Sequence, residues 1–214
     1  MTGHRTTNQR LWTALATIAA CLVITTIAAQ ETTLEITVLD ATNGSPLPGA
    51  KVILLADGRV DERYAGSEGE SRSVDLEPAH YTVEVSLAGF KTLQQETDLA
   101  IGTNQLKVHL QPFRIVSAIQ LLATPDRYDG LPVVVDGFCS IGFEDDALYF
   151  HKDDWVYTMT SNALRIDGDP TIVDERYNKK YVTVFGVFAA GPPGGLWGGR
   201  INSIEKVVLL ERRR

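Results

Sequence analysis

The feature that most constrains the fold of this chain is a repeated alternation of apolar and polar residues in short runs. In the first run, Leu34, Ile36 and Val38 share one face and polar residues separate them. A period of two is typical of a half-buried β-strand. Similar runs continue to residue 210, with segments rich in Gly, Pro and Asn between them. The sequence therefore predicts a mainly β protein.

The first 29 residues differ from the rest of the chain. Arg5 and Arg10 precede an uncharged stretch over residues 11–29 that ends in small residues. This pattern is typical of a secretory signal peptide, and we expect cleavage after Ala29.

Two alternatives remain open for this segment. The uncharged run is long enough to span a bilayer as an uncleaved anchor. The sequence IAAC at 18–21 also resembles a bacterial lipoprotein box that would acylate Cys21, although the residues after it stay apolar. All three possibilities predict an exported protein that is periplasmic, at the cell surface or secreted. Contact with a membrane is expected only through this segment.

The charge balance argues against a nucleic-acid partner. The formal net charge is −7, and removing residues 1–29 removes two arginines and no acid, which makes it −9. Binding to phosphates needs a basic surface. Because Cys139 is the one cysteine after residue 29, no intramolecular disulfide is expected and stability must come from hydrophobic cores.

The first half of the exported part predicts a small β-sandwich. A polar, glycine-bearing stretch over residues 57–70 separates two of its runs. The predicted strands lie in the runs at 34–38, 50–56, 71–76, 81–90 and 105–110.

Three segments of this half carry a family resemblance. They read VLDATNGSPLPGAKV, AGSEGE and LEPAHYTVEVSLAGF. Over residues 31–112 the chain resembles the carboxypeptidase regulatory-like domain, a transthyretin-like β-sandwich, except that Ala79 and His80 replace a usual glycine. The resemblance implies a structural or adhesive accessory module of exported proteins, sometimes grouped with carbohydrate-binding-like folds. It implies no catalytic residue.

The second half, residues 114–214, predicts a five-stranded OB-like barrel. A helix over 116–123 should lead in, with Ser117 as its cap, Pro125 as its stop, and Val116, Ile119 and Ala123 on one face. Gly137 should allow the long first strand to bend. A short helix is expected over 170–178, and the predicted strands are 131–143, 147–151, 163–167, 179–190 and 200–210.

The amino-acid sequence of this half is similar to that of a bacterial family of exported OB-like domains. The matching segments are LPVVVDGF, ALYFHKDDW, NALRID and KYVTVFGVFAA. That family has no assigned reaction, so the resemblance implies a fold and no chemistry.

A candidate ligand-binding surface follows from the alternation in two barrel strands. If the barrel hides the aliphatic residues, Tyr149, His151 and Arg165 should lie together on its outer face, where OB-folds usually bind. Aromatic residues from the next segment and from the glycine-rich loop AAGPPGGLWGG are expected to join them: Trp155, Tyr157 and Trp197. Equally, exposed strand faces carry Tyr, His and Arg because these residues suit β-structure.

No catalytic residue, metal site or cofactor is predicted. The acidic segments FEDD and HKDD are interpreted as solvated turns, and Cys139 as a residue of the barrel core. The leading hypothesis is an exported, non-enzymatic two-module protein that binds another protein or a component of the cell envelope. The alternatives are a carbohydrate-binding protein and an unrecognised hydrolase that depends on His151.

Overall fold

The computed structural model describes residues 31–142, 146–192 and 194–211 of the chain. The predicted export segment lies outside these residues. Within the described part, no helix combines the length and hydropathy needed to cross a membrane.

Residues 32–110 form a β-sandwich, which confirms the prediction for this half. One sheet has the order β4-β1-β7 and the other β3-β2-β5-β6. Strand β1 pairs antiparallel with β4 and parallel with β7. The bounds are β1 Thr32–Asp40, β2 Lys51–Ala56, β3 Arg59–Tyr64, β4 Glu70–Leu76, β5 His80–Ser86, β6 Leu93–Asp98 and β7 Thr103–Leu110.

The core of the sandwich lies between its two sheets. Leu34, Ile36 and Val38 of β1 are buried, as their alternation predicts. They belong to the same cluster as Leu54 of β2 and Val83 of β5. The apolar faces of both sheets therefore close on each other and leave the polar faces in water.

Two strands of the sandwich were not predicted. Strand β3 lies inside the polar stretch 57–70, where no strand was predicted. The hairpin from β2 turns at Asp57 and Gly58, whose φ angles are 45° and 77°; positive φ at both positions is typical of a tight two-residue hairpin. Strand β6 contains one hydrophobic residue, Leu93, and so has no alternating pattern.

Residues 114–209 contain a closed five-stranded barrel, as predicted. Each strand pairs with two neighbours in the cyclic order β9-β10-β11-β13-β12, and the short β8 joins β9 from outside. The bounds are β8 Arg114–Ile115, β9 Pro132–Ser140, β10 Ala147–Tyr149, β11 Ala163–Ile166, β12 Lys180–Ala190 and β13 Gly199–Leu209.

Gly137 lies where β9 is shared between two neighbours. It pairs with Val182 of β12, and the next residues of β9 pair with β10. A Cβ atom at Gly137 would lie 2.6 Å from Leu148 Cγ and 2.7 Å from the carbonyl oxygen of Tyr149. Glycine is required here because β10 approaches the backbone of β9 closely.

Helix α1 (Ala118–Ala123) is present, but it begins two residues later than predicted, and its buried residues are not those at the predicted helical spacing. The side chain of Ser117 accepts from the Gln120 N–H at 3.2 Å and that of Gln120 accepts from the Ser117 N–H at 2.9 Å, a capping box. The buried residues of the helix are Ala118 and Leu121, and Ile119 is 56% exposed. In so short a helix, two contacts one turn apart determine which face is buried.

The helix predicted over 170–178 is also wrong in extent. It is one 3₁₀ turn, Glu175–Tyr177. Asp174 caps this turn, because its carboxylate accepts from the Arg176 N–H at 2.8 Å. The buried Tyr177 hydroxyl donates to the carbonyl of Val207 at 2.9 Å. This turn therefore closes the barrel against β13.

The sandwich and the barrel belong to one compact unit, residues 31–214. The half-buried Glu205 carboxylate of β13 accepts from the Thr92 N–H at 2.9 Å and from the Thr92 hydroxyl at 3.0 Å. The rings of Phe113 and Phe185 meet edge to face at 5.6 Å. The two halves are therefore held together by hydrogen bonds and by an aromatic contact.

Candidate functional site

The predicted faces of the two central barrel strands are present in the structure. Leu148 of β10 lies opposite Leu164 of β11, and both belong to the barrel core. The register also pairs Ala147 with Arg165 and Tyr149 with Ala163. Tyr149 and Arg165 therefore lie on the outer face of the same two strands.

The expectation that Tyr149 is open to solvent is wrong. Its side chain is 6% exposed and its ring packs against Trp197 at 6.4 Å. Just after Trp197, the Gly198 N–H donates to the Ala163 carbonyl of β11 at 3.0 Å. This contact places Trp197 over the outer face.

Trp155 covers the other part of the same face. Its half-buried ring lies 5.6 Å from the ring of Phe138, and the Lys179 ammonium lies 5.4 Å from its centre. Trp155, Trp197 and Tyr149 thus form a small second core outside the barrel wall, together with Phe138, Ala147 and Ala163.

His151 is exposed but is not part of a strand. Strand β10 ends at Tyr149, and His151 precedes the short helix α2 (Lys152–Val156), which was not predicted. The Asp154 carboxylate accepts from the His151 N–H at 2.9 Å and from the Asn162 side-chain amide at 2.8 Å. Asp154 is buried, so the interpretation of this acid as part of a solvated turn is wrong.

Tyr157 lies at the other end of α2. Its side chain is 71% exposed, and its N–H donates to the Asp153 carbonyl at 3.0 Å. Of the six predicted residues, the structure exposes His151, Tyr157 and Arg165, half-buries Trp155 and Trp197, and buries Tyr149.

An apolar groove, which was not predicted, lies next to His151. One part, of about 420 Å³, is lined by residues that include Ile115, His151 and Tyr181. A second part, of about 320 Å³, is lined by residues that include Ile119 of α1, and Phe150 lines both parts. We call the two parts together the α1 groove.

The side chains at the rim of the α1 groove are unusually open for aliphatic residues. Ile115 is 89% exposed and Ile119 is 56% exposed. In the sequence, the groove is marked only by two apolar residues, Ile115 and Ile119. Their exposure could not be predicted without knowing the orientation of the helix.

Arg165 lies beside a second arginine. Strands β11 and β13 run parallel and place Arg165 directly opposite Arg200. The Asp167 carboxylate lies between them, with Oδ1 3.2 Å from Arg165 Nε and Oδ2 3.2 Å from an Arg200 terminal nitrogen. Arg200 was not singled out in the sequence because its strand partner could not be known.

Cys139 lies in the barrel core, as predicted. It is fully buried, and burial raises the pKa of its thiol to about 12. A buried thiol of this kind is a poor nucleophile. Among the described residues, no three His, Cys, Asp or Glu side chains are close enough to hold a metal ion.

Comparison with known families finds a match in the first half of the chain. Residues 33–111 match the profile of the Carboxypeptidase regulatory-like domain. The sandwich is therefore similar to this domain, as the sequence segments indicated. No curated protein matches the chain.

Solved structures with partial similarity include two pilus proteins and an enzyme. The group B streptococcus pilus 2b backbone protein is 16% identical, with a TM-score of 0.34, over 38% of this chain and 41% of its own. The Streptococcal ancillary pilin is 17% identical, with a TM-score of 0.35, over 54% and 37%. Klebsiella pneumoniae 5-hydroxyisourate hydrolase is 18% identical, with a TM-score of 0.33, over 38% and 90%. The chain thus spans less than half of either pilus protein. Similarity at this level gives no information on activity.

Proposed function

We propose that the protein is an exported, non-enzymatic binding protein that contacts another protein of the cell surface or envelope through its barrel. The α1 groove carries this proposal, because it combines open aliphatic side chains with a preformed apolar floor. Contiguous exposed apolar surface rimmed by polar residues is characteristic of protein interaction sites. The sandwich would then hold the barrel in a defined position.

The six predicted residues take two roles in this proposal. His151 lies in the α1 groove itself, while Tyr157 and Arg165 are exposed elsewhere on the barrel. The packing of Tyr149 with the half-buried Trp155 and Trp197 would keep the outer face rigid. A rigid surface loses little conformational entropy on binding, which favours affinity.

The charge of the chain restricts the partner. A formal net charge of −7 disfavours extended polyanionic partners such as nucleic acids and anionic lipid surfaces. The α1 groove is apolar, so the partner is expected to contribute a hydrophobic segment.

The test is capture from a native envelope extract with residues 31–214 as bait, followed by affinity measurement with the purified partner. Ile119→Asp places a charge in the α1 groove and should weaken binding by about tenfold or more. Val60→Asp is the matched control, because Val60 is 65% exposed on β3 of the sandwich. Equal affinity of both variants and the wild type would contradict this role of the groove.

Two alternatives have distinct outcomes. A glycan that quenches tryptophan fluorescence in an array screen would indicate carbohydrate binding near Trp155 and Trp197 instead. Turnover of a substrate that is lost in His151→Ala, with the fold intact, would indicate a hydrolase.

A further inference from the structure

The two neighbouring arginines of the barrel form an incompletely neutralised cluster. Leu164, Ile166 and Ile201 point into the core, so Arg165 and Arg200 point outward between them. Their side chains are 48% and 55% exposed. Like charges directly opposite on adjacent strands destabilise a sheet unless an anion lies between them.

Asp167 supplies one such anion, but it does not saturate the pair. Each guanidinium carries five N–H donors, and Asp167 takes one from each. Asp167 is the shared acceptor of the two side chains among the described residues. Within this group of three side chains, one carboxylate lies against two guanidinium groups and leaves a charge of +1.

The surroundings leave room for a ligand. The outward neighbours of the two arginines on the adjoining strands are Ala147 and Ala189, which carry only methyl groups. Trp197 packs on Tyr149, and Tyr149 lies opposite Ala163, two residues before Arg165 and so about 7 Å along the strand. The two arginines thus share the outer face of the barrel with the Tyr149–Trp197 pair.

We propose that Arg165 and Arg200 bind a carboxylate of an acidic segment in the protein partner. Guanidinium groups match the planar geometry of carboxylates and hold them with paired hydrogen bonds. Because the site is open to water, it would contribute mainly orientation and encounter rate to a larger interface. This inference rests on the proposed function and assigns a chemistry to one part of the partner.

The probe is a fluorescently labelled hexaglutamate peptide, with anisotropy measured on residues 31–214 at low ionic strength. The double variant Arg165→Ala, Arg200→Ala should weaken binding by about fivefold. Arg176→Ala is the matched control, because Arg176 is another exposed barrel arginine paired with a single aspartate. A hexaglutamine peptide should not bind.

The more decisive variant is Asp167→Asn. It removes the competing carboxylate and frees both arginines, so the affinity for hexaglutamate should rise about threefold. Unchanged or weaker binding in Asp167→Asn would overturn the proposal, as would an equal loss in Arg176→Ala. Sulfate should compete no better than chloride at equal ionic strength; strong competition would overturn the assignment to carboxylates.

The same assay separates this inference from the proposed function. Ile119→Asp should bind hexaglutamate as the wild type does, since the α1 groove plays no part in peptide binding. If the arginine variants have no effect on the peptide while Ile119→Asp abolishes partner capture, the acidic-segment proposal fails and the proposed function stands.

Discussion

At the scale of single residues, the barrel depends on the absence of a side chain at Gly137. Alanine there would place its Cβ 2.6 Å from Leu148 Cγ, well inside contact distance. We expect Gly137→Ala to lower the free energy of unfolding by about 2 kcal/mol, because β10 must shift or Leu148 must leave its rotamer. Urea denaturation measures this change. Gly66→Ala is the control, since its nearest neighbour would lie at 3.7 Å, and a loss as large in that variant would contradict the explanation.

His80 gives the sandwich a pH-dependent contact. Its ring nitrogens lie 2.7 Å from Asp98 Oδ1 and 2.8 Å from Glu96 Oε2 on the neighbouring strand. The hydrogen bond to Asp98, with the nearby carboxylate charges, raises the pKa of His80 above its usual 6.5. The folded state therefore holds this proton more tightly than the unfolded state does.

The stabilisation from His80 should thus be complete below about pH 6.5 and be lost as the pH rises through its raised pKa. We expect His80→Gln to lower the urea midpoint at pH 5 and to have little effect at pH 9. Comparing wild type and variant at both pH values isolates this group from other titrations. An equal difference at the two values would show that the imidazolium contributes nothing.

At the scale of elements, helix α2 and the following 3₁₀ turn (Thr160–Asn162) depend on one buried carboxylate. Asp154 accepts from both the His151 N–H and the Asn162 side chain. Asp154→Ala should cost about 2 kcal/mol of stability, because it removes the acceptor at the start of the helix and leaves two part-buried donors unpaired. It should also weaken partner binding by displacing His151. Asp153→Ala, at the exposed neighbouring position, should do neither.

The sequence predicts elements well where burial is one-sided. The alternation through Leu34, Ile36 and Val38 is visible because one face meets a core. Strands β3 and β6 are edge strands with mostly exposed side chains, so no periodic signal marks them. The cap of the short α1 can be recognised in the sequence from Ser117 and Gln120. The orientation of the helix depends on tertiary contacts and cannot be recognised there.

The candidate site was predictable only in part for a related reason. Strand alternation correctly places Tyr149 on the outer face, but it carries no information on what covers that face. Trp197 reaches Tyr149 from a loop 48 positions later in the chain, through a contact that depends on the path of the glycine-rich segment. Likewise, Arg200 meets Arg165 only because β11 and β13 pair in parallel.

At the scale of the whole molecule, the contact between Thr92 and Glu205 predicts cooperative unfolding of the sandwich and the barrel. Both tryptophans of the described part lie in the barrel, so fluorescence reports on the barrel and far-UV circular dichroism on both halves. The two urea transitions should coincide in the wild type. In Glu205→Ala they should separate, because the Thr92 donors lose their partner at the interface.

The control for this experiment is Glu77→Ala, which removes an exposed carboxylate whose partner, Arg59, lies within the sandwich. Its two transitions should remain coincident. If the transitions also coincide in Glu205→Ala, the packing of Phe113 against Phe185 would be sufficient to couple the halves.

The parallel pairing of β1 with β7 has a mechanical consequence. Eight residue pairs join these strands side by side, from Thr33 with Thr103 to Asp40 with Leu110. Tension applied between Thr32 and Leu110 would pull the strands past each other, so the backbone hydrogen bonds would share the load and break together. A protein held at one end and bound to a partner at the other would resist stretching through this pair of strands.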